Sequence, residues 1–376
     1  FARPSVAYKL DGTQVAANVP RFEDGKFGKA VMVEEGTTNL AHDPSTDIAW
    51  WNAAPKSGLS WGVANEYSAA EQALLIKSWS MSHHGHSFYL PIERDVYFTL
   101  RAKIKNVVNP LYELFAIVLY NASDTAIKTD FVPDIFAQYQ WTGHYTTDYS
   151  EAWITYKIPS GVYTDAVKYT IQLVGHASSE SEIYMKDIQL ERKPYKTSWH
   201  AYNSTRSPES LTIPTENVLN PQEGTIEVTY IPSLDSSKVT LGGAGQDWWW
   251  IFGAGSATGT NELRLAYSNG AWRVRVGGSS DTTHAASFVA GDKISLALAW
   301  KQGVDARFFI NGTKVATFTP SNFDVGTIIS IGWSYLFNQY RCNGLIDDTR
   351  ISSIARSDEE ILANYQSGKP VGFDSY

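Results

Sequence analysis

The sequence alternates apolar and polar residues in many short stretches. The clearest of these stretches extend from Val96 to Ile104, from Tyr169 to Val174 and from Thr225 to Tyr230. A period of two places apolar side chains on one face of an extended strand and polar side chains on the other. Shorter stretches of the same kind are Leu263 to Ala266, Trp272 to Val276, Ile294 to Trp300, Ala306 to Ile310 and Ile328 to Trp333. Many short strands at close spacing predict β-sandwiches.

The residues between these stretches favour tight turns. Ser268-Asn269-Gly270 separates two apolar stretches, and Asn311-Gly312 lies between two others. Asn-Gly is the strongest short hairpin signal, because both residues tolerate positive φ. One segment, Ser357 to Tyr365, has a helical pattern, with a Ser N-cap and a capping-box Glu at position 360. The sequence therefore predicts an all-β chain with one short C-terminal helix.

The length of 376 residues exceeds what one hydrophobic core normally organises, so we expect two domains. Pro194 to Pro214 is rich in Pro, Ser and Thr and separates two strand-dense regions. This composition is typical of a linker, and we place the boundary near Thr205. The predicted parts are an N-terminal arm and lead-in over residues 1–36, one sandwich over residues 37–204 and a second over residues 205–376.

Charge and composition exclude several classes of function. The net charge is -8, and Lys and Arg occur singly, so nucleic acid is not an expected partner. No stretch approaches the ~18 consecutive apolar residues of a membrane helix, so we expect a soluble protein without membrane insertion. The single Cys342 leaves a buried thiol or an intermolecular bridge open. Phe1 to Asn18 lacks the pattern of a signal peptide, which indicates either a removed leader and secretion or a trimmed chain.

The region from Thr212 to Gln366 resembles laminin-G-like or concanavalin A-like lectin domains. Three motifs occur in the order that these domains show. They are Glu223-Gly224-Thr225-Ile226-Glu227, then Ala299-Trp300 followed by Phe308 to Gly312, and finally Gly344 to Ile351 before the predicted helix. The resemblance implies a jelly-roll fold for this domain.

The first domain resembles a carbohydrate-binding-module jelly roll. It opens with Gly36-Thr37-Thr38-Asn39-Leu40 and closes with the strand Ile183 to Glu191. The stretch Phe22 to Leu40 also resembles the lead-in of bacterial surface and prophage tail-associated proteins. Together the resemblances imply two tandem antiparallel jelly-roll β-sandwiches, an extracellular or virion-tail location, and glycan binding or surface attachment.

The sequence lacks the motifs that several enzyme classes need. It has no Glu-x-Asp-x-Glu array to place two carboxylates across a cleft for sugar hydrolysis. It also has no Gly-rich phosphate loop and no paired Cys-x-x-Cys. His144 with Tyr145 could serve a polysaccharide lyase, but the Gln-x-His strand signature is absent. We therefore predict a non-catalytic protein.

Exposed aromatic residues are the candidates for sugar binding, because their flat faces stack on pyranose rings. Three consecutive tryptophans in a strand must point to both faces of a sheet, so at least one is expected to leave the core. The alternative is core packing or a subunit contact. The candidates are Trp248, Trp249, Trp250, Trp50, Trp51 and Tyr145.

The two family resemblances also imply a structural Ca²⁺, since such modules often hold one near their termini through carboxylates and backbone carbonyls. In the first domain the candidate ligands are Asp187 with Asp43 or Asp47. In the second domain they are Asp347 and Asp348, which occupy the acidic closing position. Hydrogen bonding to turn amides is an equally open role for these two residues.

Two functions remain open from the sequence. One is a lectin-like adhesin that binds a polysaccharide or cell-surface glycan. The other is a homo-oligomeric or polymeric subunit of an extracellular filament, tube, sheath or phage tail appendage, with the aromatic residues at permanent interfaces. An extended arm over Phe1 to Asn18 could add a strand to a neighbour's sheet, whereas an arm packed on its own chain would count against assembly.

Overall fold

The computed structural model describes residues 1–52, 66–79, 83–85, 89–108, 113–128, 136–141, 147–174, 180–241, 248–256 and 261–367. Within these ranges the chain is almost entirely β, with a single α-helix near the C-terminus. Its strands pair antiparallel, as in the long ladders of both halves of the chain. The predicted all-β fold class is confirmed.

The first four strands are β1 (Ala7–Tyr8), β2 (Gln14–Val15), β3 (Phe22–Asp24) and β4 (Lys29–Val33). The next twelve are β5 (Thr37–Asn39), β6 (Glu66–Ser68), β7 (Ala73–Trp79), β8 (His83–Gly85), β9 (Leu90–Pro91), β10 (Tyr97–Val108), β11 (Glu113–Tyr120), β12 (Ala126–Lys128), β13 (Phe136–Trp141), β14 (Ser150–Lys157), β15 (Lys168–Val174) and β16 (Glu180–Glu191). The last are β17 (Ser204–Arg206), β18 (Leu211–Pro214), β19 (Glu223–Pro232), β20 (Trp249–Ala254), β21 (Leu263–Ser268), β22 (Ala271–Val276), β23 (Thr282–Ala285), β24 (Ile294–Lys301), β25 (Asp305–Ile310), β26 (Thr313–Phe318), β27 (Ile328–Ile331) and β28 (Gly344–Ser352), followed by the helix α1 (Asp358–Ser367). Two 3₁₀ turns cover Trp50–Asn52 and Ser236–Leu241.

The chain folds into two compact units that do not follow its linear order. One unit consists of Thr37–Thr205, and we call it the middle unit. The other consists of Phe1–Gly36 together with Arg206–Tyr376, and we call it the split unit. The middle unit is therefore an insertion between the first 36 residues and the rest of the split unit.

The split unit is a β-sandwich of two sheets. The six-stranded sheet has the order β18-β27-β20-β21-β22-β23, and the seven-stranded sheet has the order β26-β25-β24-β19-β28-β4-β3. The sheets meet through aromatic side chains. Tyr230 of β19 lies with its ring centroid 6.4 Å from that of Trp272 in β22 and 6.1 Å from that of Phe288. These rings are buried and form the core between the sheets.

The N-terminal segment is part of the split unit, which favours the packed arm over the extended arm, the two alternatives that the sequence left open. Strand β4 pairs with β28, with Val33 opposite Gly344 and Val31 opposite Ile346. Strand β3 then extends the sheet by pairing with β4. Within Phe1 to Asn18 itself, the Ala2 amide donates to the Ser210 carbonyl oxygen at 2.8 Å and β1 pairs with β2. This arm is therefore packed on its own chain, which counts against assembly by strand exchange. Self-assembly by other contacts stays a prediction.

A buried ion cluster ties the N-terminal segment to the residues that follow the insertion. Arg21 Nε lies 2.7 Å from Glu209 Oε1, and Arg21 Nη2 lies 2.8 Å from Glu34 Oε2. Arg3 Nη1 lies 3.0 Å from Glu209 Oε1, and Arg206 Nη2 lies 3.3 Å from Glu34 Oε2. Burial opposes the charge of Arg21, but the two carboxylates outweigh it and raise the pKa of the Arg21 guanidinium.

The middle unit is a second β-sandwich. One sheet has the order β13-β14-β10-β16-β7-β6, and the other has the order β12-β11-β15-β8, with β9 also paired to β15. Phe98 of β10 and Tyr156 of β14 stack with ring centroids 5.7 Å apart. The Tyr156 hydroxyl lies 2.7 Å from that of Tyr169 in the opposite sheet, and both rings are buried. The hydroxyl pair satisfies two polar groups inside this core.

The single cysteine is a buried thiol, which decides between the two alternatives that the sequence left open. Cys342 is fully buried and unpaired, and its Sγ lies 3.8 Å from the Val33 carbonyl oxygen. Burial raises the pKa of this thiol well above its ordinary value. A protonated thiol at this depth is not available for an intermolecular bridge.

The C-terminal helix packs on the seven-stranded sheet of the split unit. Its predicted capping box is confirmed, because the Glu360 amide donates to Ser357 Oγ at 3.2 Å and the Ser357 amide donates to Glu360 Oε2 at 2.8 Å. Ile361 is buried against Ala297 and Phe309. Within the described part of the chain, no helix has both the length and the apolar character needed to cross a membrane.

Candidate functional site

The three consecutive tryptophans lie at the start of β20 and occupy different environments. Trp249 points into the core of the split unit. Trp250 points to the opposite side of the six-stranded sheet, which we call the outer face, where Tyr340 and Phe337 cover it with ring centroids 6.4 Å and 6.0 Å away. Trp249 and Trp250 are each 1% exposed, whereas Trp248 is half-buried. A buried indole cannot stack on a sugar ring, so Trp248 alone of the three keeps its predicted role.

A glycine makes room for Trp250 to lie against the sheet. A Cβ on Gly253 would lie 2.1 Å from Trp250 Nε1. The pairing of β20 with β21 is irregular between Trp250 and Phe252, which is the signature of a β-bulge. A bulge re-aims the side chains that flank it. The glycine and the bulge together fix the position of Trp250, and Trp250 in turn supports Trp248, whose ring centroid lies 6.4 Å away.

Two arginines and two carboxylates form a buried network beside these rings. Arg264 of β21 and Arg275 of β22 are cross-strand partners. Glu262 Oε1 lies 3.1 Å from Arg264 Nη1 and 3.4 Å from Arg275 Nη1. Asp281 Oδ1 lies 2.9 Å from Arg275 Nη2 and also pairs with Arg264. Burial raises the pKa of Glu262, although the two guanidinium groups oppose this effect.

A third arginine, Arg273, lies two residues before Arg275 and therefore shares the outer face. Its guanidinium carbon lies 5.2 Å from the ring centroid of Trp248, and that of Arg264 lies 4.9 Å from it. Its contact with Asp281 Oδ2 is 3.8 Å, which is too long for a hydrogen bond. The Arg273 side chain is 24% exposed, more than those of Arg264 and Arg275, which are 6% and 7% exposed. We call Trp248, Glu262, Arg264, Arg273, Arg275 and Asp281 the outer-face cluster.

Several buried polar atoms on this face have no hydrogen-bond partner within the part of the chain that the structure describes. Buried polar groups in native proteins are normally satisfied, so each of these exceptions is a group that could accept or donate a further hydrogen bond. The atoms are Trp250 Nε1, Glu262 Oε2, Arg264 Nε and Ser268 Oγ.

The aromatic candidates of the middle unit are less accessible. Trp51 is 1% exposed, and its Nε1 donates to the His42 carbonyl oxygen at 2.9 Å, so it is a core residue and not a sugar contact. Trp50 is half-buried, and His42 stacks on it with ring centroids 4.4 Å apart and planes 1° from parallel. One face of Trp50 is thus already occupied. Tyr145 lies outside the described residues.

The three acidic candidates for calcium binding in the middle unit are all engaged by protein donors. A carboxylate that already accepts hydrogen bonds has fewer lone pairs free for a cation. The shortest contacts are 2.7 Å from Asp43 Oδ1 to Ser45 Oγ, 2.7 Å from Asp47 Oδ2 to His42 Nδ1 and 2.8 Å from Asp187 Oδ2 to Lys103 Nζ.

The two acidic candidates in the split unit also have protein partners. Asp347 Oδ2 accepts hydrogen bonds from the amides of Lys26 at 2.6 Å and Phe27 at 2.9 Å, in the turn between β3 and β4. This is the turn-amide role that the sequence left open. Asp348 accepts from Arg350, with Nε 2.8 Å from Oδ1. Among the residues that the structure places, no group of three or more His, Cys, Asp or Glu side chains could hold a metal ion. Calcium binding stays a prediction.

A pocket of about 380 Å³, including space open to solvent, lies between α1 and the seven-stranded sheet. Glu227 forms its floor, with Oε1 2.8 Å from Asn364 Nδ2 of the helix and Oε2 3.5 Å from Arg350 Nη1. Burial raises the pKa of Glu227 and that of Asp348. Glu227 thus links the helix to the sheet through Asn364.

Trp248 was a candidate from the sequence, whereas the charged residues of the outer-face cluster were not predicted. The signal was present, because Arg273-Val274-Arg275 alternates charged and apolar residues and so places two arginines on one face of a strand. Such alternation is equally typical of a solvated sheet face. Only the structure shows that Glu262 and Asp281 converge on these arginines.

Comparison with known proteins identifies one part of the chain. Residues 209–362 match the family model of the concanavalin A-like lectin/glucanases superfamily. The prediction of a concanavalin A-like lectin domain in this region is confirmed. No curated protein matches the chain.

Among solved structures, the chain is similar to the receptor-binding domain of botulinum neurotoxin D, with 13% identity over 43% of this chain and 42% of that one and a TM-score of 0.33. It is also similar to the receptor-binding domain of botulinum neurotoxin type G, with 11% identity over 39% and 38% of the two chains and a TM-score of 0.29. A third similar structure is the binding domain of Paraclostridial Mosquitocidal Protein 1, with 15% identity over 43% and 44% and a TM-score of 0.30. The chain thus spans less than half the length of each of these structures.

Proposed function

We propose that this chain is a non-catalytic, extracellular glycan-binding protein and that the outer-face cluster of the split unit is its binding surface. The observation that carries the proposal is the half-buried indole of Trp248, fixed beside a network of charged side chains on one sheet face. The match of residues 209–362 to the concanavalin A-like lectin/glucanases superfamily supports it.

The chemistry of the cluster suits a sugar. An indole stacks on the apolar face of a pyranose, while the ring hydroxyls need donors and acceptors close by. Trp248 is held by Trp250 and by two guanidinium groups, so little side-chain freedom is lost when a ligand binds. Trp248 is half-buried, as Trp50 is, but it differs from Trp50 in lying beside charged side chains.

The carboxylates of the outer face are poorly placed for catalysis, which supports a binding role. Sugar hydrolysis needs one carboxylic acid and one carboxylate that reach the glycosidic bond. Glu262 is 0% exposed, and both Glu262 and Asp281 are paired with Arg264 and Arg275. We propose that these acids position the arginines and take no part in bond cleavage.

The test is a binding measurement against a panel of immobilised glycans, with the full chain and a Trp248→Ala variant. We expect the variant to lose at least about tenfold in affinity for each glycan that the parent binds, which is about 1.4 kcal/mol. Tyr335→Ala is the matched control, because Tyr335 is an aromatic residue of the same unit that is 45% exposed. Unchanged binding by Trp248→Ala would remove the outer face as the binding surface. Release of new reducing ends from a bound polysaccharide would contradict the non-catalytic role.

A further inference from the structure

We infer that the outer-face cluster selects acidic glycans, and that Arg273 binds the carboxylate of an acidic sugar while Trp248 contacts its ring. This inference rests on the proposed function, because it names the class of glycan that the same surface would take. It depends on the charge balance of the cluster, on the unequal pairing of its arginines and on the position of Arg273 over the Trp248 ring.

The cluster carries an excess of positive charge. Its three arginines, Arg264, Arg273 and Arg275, face two carboxylates, Glu262 and Asp281, so its formal charge is three minus two, or +1. The whole chain has a net charge of -8. A local positive site on an acidic protein attracts anions specifically to that place.

The excess charge resides on Arg273. Arg264 and Arg275 are 6% and 7% exposed and are both paired with Glu262 and Asp281. The Arg273 side chain is 24% exposed, and its contact with Asp281 is 3.8 Å. Its Nε reaches only the Ser268 carbonyl oxygen, at 3.4 Å. Within the described part of the chain, the terminal nitrogens of Arg273 thus have no close hydrogen-bond acceptor.

The position of the Arg273 guanidinium over the Trp248 ring suits carboxylate binding. A guanidinium that lies against an aromatic face covers one of its flat sides and keeps its N–H edge free. That edge matches the two oxygens of a carboxylate in a bidentate pair. The Arg273 guanidinium carbon is 5.2 Å from the Trp248 ring centroid, so the group that would bind the carboxylate adjoins the ring that would contact the sugar.

Repulsion between arginines adds to the preference for an anion. The guanidinium groups of Arg264 and Arg273 both lie within 5.2 Å of the centroid of the Trp248 ring. Glu262 and Asp281 lie close to both Arg264 and Arg275, whereas Arg273 has only the 3.8 Å contact with Asp281. Two carboxylates therefore do not fully offset three guanidinium groups, and part of the repulsion remains. A ligand carboxylate beside Arg273 would cancel it, and a neutral sugar would not.

The experiment compares paired ligands that differ only in charge. Oligogalacturonate and 3′-sialyllactose are each offered with free carboxylates and as the methyl esters, and binding is measured by calorimetry with the full chain. We expect the free acids to bind about tenfold to a hundredfold more tightly than the esters, as a bidentate charge-assisted pair would give. Added salt should reduce this difference.

Two substitutions assign the preference to Arg273. Arg273→Gln should make acid and ester bind equally. Arg273→Lys should keep a weaker preference for the acid, because lysine retains the positive charge but cannot form the bidentate pair of a guanidinium. Lys301→Gln is the control for loss of one positive charge, since Lys301 lies in the same unit and is 53% exposed. Urea unfolding of each variant confirms that it is folded before its binding is compared.

The outcomes separate the two proposals. If acids and esters bind equally to the parent and both depend on Trp248, the inference about charge is wrong and the glycan-binding role survives. A preference for acids that Arg273→Gln leaves intact would also overturn the role of Arg273. If no acidic or neutral glycan binds, both the inference and the proposed function fail.

Discussion

Arg21 and Glu209 are 188 residues apart in the chain, yet Arg21 Nε donates to Glu209 Oε1 at 2.7 Å, and both side chains are 0% exposed. Glu209 also accepts from Arg3 Nη1 at 3.0 Å and from the Glu34 amide at 3.0 Å. One carboxylate thus pairs with two guanidinium groups on the segment that precedes the insertion. The fold of the split unit depends on this contact across the sequence.

Glu209→Gln should lower the free energy of unfolding of the split unit by about 3–5 kcal/mol, because it leaves buried guanidinium groups without their carboxylate. Urea denaturation followed by tryptophan fluorescence measures this change, and we expect the split unit to unfold in its own transition. Glu216→Gln is the control, since Glu216 is exposed in the same unit. A loss below about 1 kcal/mol would show that the cluster is not a stabilising element.

The division of the chain predicts how fragments behave. Residues 37–205 expressed alone should unfold cooperatively, because they contain both sheets of the middle unit. Residues 206–376 alone should not, because they lack β3 and β4 and leave Arg206 and Glu209 without Arg21 and Glu34.

A repaired fragment provides the control for this experiment. A Cβ on Gly36 would lie 2.9 Å from the Arg206 carbonyl oxygen, so the two ends of the split unit are in contact. Residues 1–36 joined to residues 206–376 by a short Gly/Ser linker should therefore fold cooperatively. Equal urea midpoints for the chains with and without residues 1–36 would contradict the role of the N-terminal segment.

Local features of the fold could be predicted from the sequence, because neighbouring residues determine them. Asn269-Gly270 and Asn311-Gly312 form the turns that their composition predicts, with φ of 50° and 74° in the first and 50° and 76° in the second. The capping box of α1 likewise involves residues three positions apart. These features require no knowledge of tertiary contacts.

The association of distant segments could not be predicted in this way. The alternation in β4 is the same whether its partner lies nearby or across the insertion at β28. From the sequence, an isolated arginine such as Arg21 is expected at the surface. Its burial is explained only by its pairing with the buried carboxylates of Glu34 and Glu209. For the same reason the sequence could not separate Trp248 from Trp250, since Phe337 and Tyr340, which cover Trp250, lie far along the chain.

The pocket beside α1 predicts a dependence of stability on pH. Burial raises the folded-state pKa of Glu227 above its ordinary value of 4.5, despite the hydrogen bond from Asn364 and the charge of Arg350. A carboxyl group whose pKa is higher in the folded than in the unfolded state makes its full contribution to stability at pH values below the unfolded-state pKa. This contribution is lost as pH rises through the folded-state pKa. The parent should therefore lose stability relative to Glu227→Gln over that pH range.

Urea unfolding of both proteins between about pH 3 and pH 7 measures this difference. Asp324→Asn supplies a control of opposite sign, because the Ser256 hydroxyl lowers the pKa of Asp324. The parent should lose stability relative to that variant as pH falls through the folded pKa of Asp324. A difference between the parent and Glu227→Gln that does not change with pH would show that burial does not govern Glu227.

The contact between Gly253 and Trp250 predicts a coupling between two substitutions. Gly253→Ala should destabilise the split unit by about 1–3 kcal/mol, because the new Cβ would lie 2.1 Å from Trp250 Nε1 and displace the indole. In a Trp250→Phe background the smaller ring leaves space, so the same substitution should cost less. A double-mutant cycle by urea denaturation should give a coupling of about 0.5–3 kcal/mol. Because Trp250 supports Trp248, Gly253→Ala should also weaken glycan binding. If the losses in unfolding free energy of the two single variants simply add in the double variant, Gly253 does not position the ring.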